Sequence, residues 1–260
     1  MTAIGSKIGF AKGCAPLMMP VMPAHTSANE SVSSHLNRLV RLVFSEKYLP
    51  GDRLVERDLA AQLNLSRIPI REGLLMLAAK GLILKDDSSR GMRLRDYTPT
   101  EVLHLYEYRE AIELAAIHAA CQHRTQTQLV ELELLCDELD AGAEHLDTTR
   151  RLELEWSFHQ SIVLASGNAR FISDFALLMV ECNYVFYHLH SDGRNTDENA
   201  NLSLSTHVHA VAKEHRDIVR MIGERDSASA STAMRAHLSS LSSRIHRILV
   251  KRPFRADTGD

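Results

Sequence analysis

Residues 50–91 read PGDRLVERDLAAQLNLSRIPIREGLLMLAAKGLILKDDSSRG, and this stretch decides the fold. Pro50-Gly51-Asp52 is a turn signal, because proline presets φ and glycine accepts a positive one. Leu54, Leu59, Ala60 and Leu63 recur at helical spacing, which predicts a short helix over 56–63. Asn64 tolerates the left-handed conformation and can end that helix. Ser66 suits the N-cap of the next helix, whose buried face is Ile70, Leu74, Leu77 and Ala78. Arg67 and Arg71 are four apart, so they leave one side of its N-terminal half. Gly81 stops it. Residues 82–84 and 92–95 can then pair as two strands around 86–91. Upstream, a helix over 31–45 supplies Val32, Leu36, Leu39, Val40 and Val43 to a small three-helix core. This is the pattern of a winged helix-turn-helix, which lays the N-terminal half of its second helix in the DNA major groove.

These residues resemble the winged helix of the GntR family of bacterial transcription regulators. The resemblance rests on Pro50-Gly51, Leu54, Glu56, Leu59-Ala60, Ser66-Arg67, Pro69-Ile70-Arg71-Glu72, Leu74, Leu77, Gly81-Leu82 and Arg90-Gly91. It implies that Arg57, Ser66, Arg67 and Arg71 face DNA, with Arg90 and Gly91 at the wing tip near the minor groove. Gly73 stands where the family usually has Ala, at a cost of about 1 kcal/mol in helix propensity.

Charge agrees with DNA binding at one end. Residues 31–96 hold 12 Lys/Arg against 8 Asp/Glu, whereas 97–260 hold 16 against 24. A basic segment joined to an acidic one suits a protein that meets nucleic acid with one part only. The 260 residues suffice for two domains, each with a core. Boundaries are expected at 31–96 for the winged helix and 97–252 for the second domain. Residues 1–30 and 253–260 are expected to be tails. Cys14, Cys121, Cys136 and Cys182 show no paired spacing, so free thiols in the cytoplasm are expected. No apolar run approaches the ~18 residues of a membrane span, and the segment around Leu17–Pro23 lacks the continuous apolar run of a signal peptide.

The second domain opens at Thr98-Pro99-Thr100-Glu101, a capping box with proline at the first helical position. From there the periodicity predicts six or seven helices and no strand after Arg95. Residues 191–203 are polar and read as a loop. The fold class is therefore mainly α: a winged helix-turn-helix followed by an all-helical bundle. Its informative constellation is Glu155, His159, His215 and His237. Glu155 and His159 are i,i+4 on one face and could share a metal. His215 and His237 fall on two later helices, and three converging helices could bring all four inward. With 14 histidines in the chain, such a pair is also expected by chance.

From about Glu101 to Ile248 the chain resembles the FCD ligand-binding domain of the FadR-type branch of that family. The resemblance is carried by Leu105, Arg109 and Glu113, by EWSFHQSIVLASGN (155–168), and by His215 and His237 within 214–238. It implies a divalent metal held by Glu155, His159, His215 and His237, with Zn²⁺ first and Ni²⁺, Mn²⁺ or Fe²⁺ also suited. Glu155 stands where the family usually has Asp. The extra methylene leaves open whether it binds the metal or stands behind it. The same resemblance places Arg109 at the effector cavity, where a guanidinium could fork onto a carboxylate; an ion pair with Glu113 is the alternative. Asn183 and Tyr187 are expected at that cavity or in ordinary helix packing, and Asn168 is expected to cap a helix. The expectation is a homodimeric repressor on a palindromic operator, released by a small carboxylate, with activation as the other sign. A metal-dependent enzyme and a DNA-binding protein without an effector are the other classes. No nucleophile–base pair or phosphate-binding loop supports the enzyme.

Overall fold

A computed structural model describes residues 29–45, 47–86, 91–146, 148–190 and 199–251. Helices α1 (Asn29–Val43), α2 (Glu56–Leu63) and α3 (Arg67–Ala79) precede a hairpin of β2 (Ile83–Asp86) and β3 (Gly91–Leu94). A two-residue strand β1 (Arg53–Leu54), which periodicity cannot register, pairs with β3. The antiparallel sheet has the order β1-β3-β2, with Leu54 opposite Met92 and Ile83 opposite Leu94. Asn64 is left-handed (φ 51°) and caps α2 as its side chain predisposes it to do. Ser66 sits at the N-cap of α3, but its side chain makes no capping hydrogen bond.

Gly73 has a role that its propensity does not reveal. A Cβ there would lie 2.5 Å from Leu39 Cδ2, so glycine lets α3 press directly onto α1. Leu39, Val43, Phe44, Leu59, Ile70, Leu74 and Leu77 fill the core between these helices.

Six helices follow: α4 (Pro99–His123), α5 (Gln126–Ala141), α6 (Thr148–Ala165), α7 (Ala169–His190), α8 (Asn199–Gly223) and α9 (Ser227–Lys251). The capping box at Thr98 and Glu101 forms as expected. Asn168 Oδ1 accepts from the Arg170 backbone N–H at 3.0 Å at the start of α7. Helix α8 begins at Asn199, so the polar run expected to be loop is helical over its last residues. The expected tails, apart from residues 29 and 30, lie outside the described residues, as does Arg90. Cys121, Cys136 and Cys182 are free and buried.

Helix α4 is the axis of the bundle. It packs against α6, α7, α8 and α9, while α5 packs on α6 and α8. The buried residues of α4, from Val102 and Leu105 to Ile117 and Cys121, recur every three or four positions along one broad face, and two of them are Arg109 and Glu113. The largest core cluster runs from the winged helix into the bundle through Phe44, Tyr97 and Tyr184. The Phe44 and Tyr184 rings meet edge to face at 5.5 Å. No helix is long and apolar enough to cross a membrane among the described residues.

Candidate functional site

Three histidines from three helices meet inside the bundle. His159 of α6, His215 of α8 and His237 of α9 are buried, and one nitrogen from each lies within 4.8 Å of the others. His237 Nε2 stands 3.3 Å from His159 Nε2 and 3.4 Å from His215 Nε2. Carboxylates set the tautomers. His159 Nδ1 donates to Glu113 Oε2 at 2.5 Å, and His237 Nδ1 donates to Glu214 Oε2 at 2.7 Å. A carboxylate only accepts, so each of these rings carries a proton on Nδ1, and its neutral tautomer has the lone pair on Nε2. Phe158 stacks on His215 at 3.7 Å between centroids and holds that ring in place.

Burial keeps His159 and His215 neutral. Burial pushes His159 down to about 4, against the opposing pull of Glu113. Burial, together with the neighbouring His237 and His159, pushes His215 well below the usual histidine range. Burial alone would raise Glu113, but His159 and Arg109 beside it hold it at about 2.

Lone pairs facing each other at such spacing repel unless a cation sits among them. Tetrahedral imidazole ligands at the usual zinc distance stand about 3.3–3.4 Å apart, which matches the separations from His237 to His159 and His215. Each of two rings also has the carboxylate partner that orients metal-binding histidines. The donor set thus fits a metal ion. Glu155 does not join it: its oxygens fall outside the 4.8 Å group. It lies one turn back along α6, where burial raises its carboxyl above the usual range. The carboxylate beside His159 is instead Glu113, from α4.

A cavity adjoins the histidines, lined by Arg109, Glu155, Asn183, Glu214, His237 and Arg244 among others. Its volume is ≈ 30 Å³, room for a water or two. Asn183 is wholly buried, and among the described residues neither of its side-chain polar atoms has a hydrogen-bond partner. Arg109 reaches this wall with its Nε committed to Glu113 Oε1 at 2.6 Å, so the ion-pair alternative is the arrangement present. The side chain of Tyr187 lies outside the described residues.

On the winged helix, Arg57, Arg67, Arg71 and Gly91 line one groove with Arg53. Arg53, in β1 opposite Arg93, is a cation that the sequence pattern did not single out. Arg67 approaches Glu56 only to 3.7 Å, and Arg57 pairs with its neighbour Asp58 at 3.0 Å. Exposed pairs of this kind are worth little, so these guanidiniums are only weakly held.

Known proteins share both halves. Residues 36–89 match the gntR family of bacterial regulatory proteins, and residues 104–240 match the FCD domain. An HTH-type transcriptional regulator in an unstable DNA locus of Streptomyces ambofaciens is 30% identical over 217 residues, spanning 83% of this chain and 85% of that protein. The transcriptional repressor RspR of Escherichia coli is 25% identical over 76% of this chain and 82% of its own. The E. coli repressor NanR is 24% identical over 86% of each. The solved structure of E. coli McbR/YncC has the same fold, with a TM-score of 0.69 at 17% identity over 86% of this chain and 99% of that one. The family and these relatives are transcription regulators rather than enzymes. The chain belongs to the GntR family of bacterial transcription regulators, in the branch whose second part is an FCD domain.

Proposed function

We propose that the chain is a metal-containing repressor that senses a small carboxylate. The observation that carries this reading is the convergence of three buried imidazole nitrogens beside a cavity with an unsatisfied amide. His159, His215 and His237 would hold the ion, with Zn²⁺ the best match to their spacing. When bound, it supplies a Lewis-acidic positive centre that attracts an anionic oxygen. Glu113 and Glu214 fix the two ring tautomers, and Arg109 balances the charge of Glu113. Asn183 offers a donor and an acceptor to whatever enters.

Helix α7 links this cavity to the winged helix. Asn183 lines the cavity. Beside it in sequence, Glu181 Oε1 accepts from Tyr97 Oη at 2.6 Å, and Tyr184 packs on Phe44. A ligand that repositions α7 therefore biases how the winged helix is held, by no more than its differential affinity for the two arrangements. Arg57, Ser66, Arg67, Arg71, Arg90 and Gly91 form the DNA-facing set, with Arg53 added. Two copies in a cytoplasmic homodimer would present paired α3 helices to a palindromic operator. The relatives RspR and NanR are named repressors, which favours repression relieved by ligand.

The test is metal analysis of purified wild type and His159→Ala, followed by operator mobility shifts with small carboxylates. Wild type should hold one metal per chain and His159→Ala far less, and a carboxylate should release wild type from DNA. Equal metal in both proteins refutes the centre. An operator complex indifferent to every acid refutes the sensor.

A further inference from the structure

We infer that Arg244, not Arg109, is the anion anchor of the cavity, and that the effector is an extended, two-headed anion reaching from the histidines to Arg244. This rests on the sensor reading above and specifies its ligand.

Helix geometry gives the cavity two poles. His237 and Arg244 both line it and are seven residues apart on α9. That is two turns on one face, a rise of about 10 Å. On α8, His215 meets His237 while His207 accepts a hydrogen bond from Arg244 Nη1. The two contacts fix α8 and α9 as antiparallel neighbours and separate the poles along them. Glu155 and Asn183 line the wall.

The two arginines of the cavity differ in what they have left to offer. Arg109 is buried and its charge is matched by Glu113. Its Nη groups could still donate to a ligand, but its charge is already compensated by Glu113 and adds little attraction for an anion. Arg244 is only partly buried, and its hydrogen-bond partner is the His207 ring. Among the described residues no carboxylate stands within salt-bridge distance of its guanidinium. An imidazole does not neutralise a guanidinium, so a planar carboxylate would replace His207 with a stronger, forked partner. A volume of ≈ 30 Å³ admits no such ligand while Arg244 lies against His207. The anchor must swing to let the ligand in, which a long and partly exposed side chain can do without moving the helix.

The ligand class follows. One head is an anionic oxygen group for the histidine pole, the other a carboxylate or a phosphoryl group for Arg244. Between them, a hydroxyl or carbonyl would satisfy Asn183. A single-headed acid fills one pole only.

The experiment is a thermal-shift and calorimetric titration of the full-length, zinc-loaded protein. The probes are acetate, succinate, glutarate, adipate and 3-phosphonopropionate, tested on wild type, Arg244→Gln and Arg244→Lys. Wild type should bind at least one two-headed acid roughly 10- to 100-fold more tightly than acetate. Arg244→Gln should bring that acid down to the acetate level while retaining the same zinc, and Arg244→Lys should keep part of the gain. Preference for succinate or for 3-phosphonopropionate identifies the distal head. A two-headed advantage that survives in Arg244→Gln overturns the anchor and leaves the sensor standing. Equal binding of acetate and the longer acids overturns the two-pole ligand alone. No binding by any of them overturns both readings.

Discussion

Replacing Glu113 with Gln separates the two tasks of that carboxylate. Arg109 is 3% exposed and Glu113 0%, with 2.6 Å between Nε and Oε1. Removing one charge from a buried pair costs about 3–5 kcal/mol, because the survivor is left in the interior uncompensated. At roughly 2–4 °C per kcal/mol for a chain of this size, Glu113→Gln should lower Tm by roughly 6–20 °C without metal. The same change alters the histidine pole. A carboxamide has a single acceptor oxygen, so it cannot serve both Arg109 and His159, and His159 loses the acceptor that keeps its proton on Nδ1. Loss of such a partner weakens metal binding roughly 10- to 100-fold. The double variant Arg109→Met/Glu113→Gln removes the stranded charge and should regain most of the stability, but none of the metal affinity. Thermal unfolding in chelator and a zinc competition titration read the two effects separately. A Glu113→Gln protein that melts with wild type would refute the buried-charge argument. A double variant that regains zinc affinity along with stability would show that Glu113 acts on the metal only through the fold.

The winged helix and its junction supply further predictions. Arg67→Ala should weaken operator binding with the fold intact, and Arg53→Ala should weaken it while lowering the slope of log K against log salt by about 1; unchanged mobility-shift affinity would remove either side chain from the interface. Gly73→Ala gains about 1 kcal/mol of helix propensity but drives a Cβ to 2.5 Å from Leu39 Cδ2, an overpacking cost of about 1–3 kcal/mol. The net should be a loss of about 1 kcal/mol in urea unfolding, and a more stable variant would show that Leu39 yields freely. Burial holds the Glu181 carboxyl above the usual range, although the Tyr97 hydroxyl bonded to it pulls the other way. Its contribution to stability is then full below the unfolded pKa of about 4.3 and is lost as pH rises through the higher folded value. Wild type should lose stability relative to Glu181→Gln over that rise, and parallel pH profiles would contradict the assignment.

Local signals make the winged helix legible. Asn64, Gly81 and the Thr98 box are chemical marks that survive without tertiary context, and the arginines of α3 stand at fixed offsets from them. The bundle is less legible because the buried face of its axis carries charge. Arg109 and Glu113 lie on the buried stripe of α4, yet a charged pair four apart has the sequence appearance of a solvated surface pair. Nothing in their spacing says that Glu113 also reaches a histidine 46 residues away. The histidines and Glu155 stand out together through a family resemblance, and nothing in the sequence adds to them the carboxylate that orients His159. Glu155 is one turn from His159, but the oxygen beside that ring comes from another helix. Asn183 lies in the apolar run of α7, where a lone amide carries no pattern of its own. The seven-residue offset from His237 to Arg244 is readable in the sequence, and takes on meaning only once α8 is seen to bring His207 across from it.

The interior of the second domain holds costs that a ligand would relieve. Each unsatisfied polar atom of Asn183 costs about 1–3 kcal/mol, and the facing imidazole lone pairs add to that. A metal answers the lone pairs but leaves the amide untouched. Helix α7 bears the amide and, through Glu181 and Tyr184, the contacts to Tyr97 and Phe44. Metal alone should therefore raise the stability of the bundle while changing operator affinity little. A ligand that also bonds Asn183 acts on the helix that holds the winged helix, and can draw on the ~1–3 kcal/mol typical of such coupling, roughly a 5- to 150-fold change in DNA affinity. Asn183→Leu, which removes the unsatisfied atoms at similar volume, should bind zinc and stay folded, yet no longer transmit ligand binding to the operator. A variant that still releases DNA on ligand binding would place the transmission on another helix.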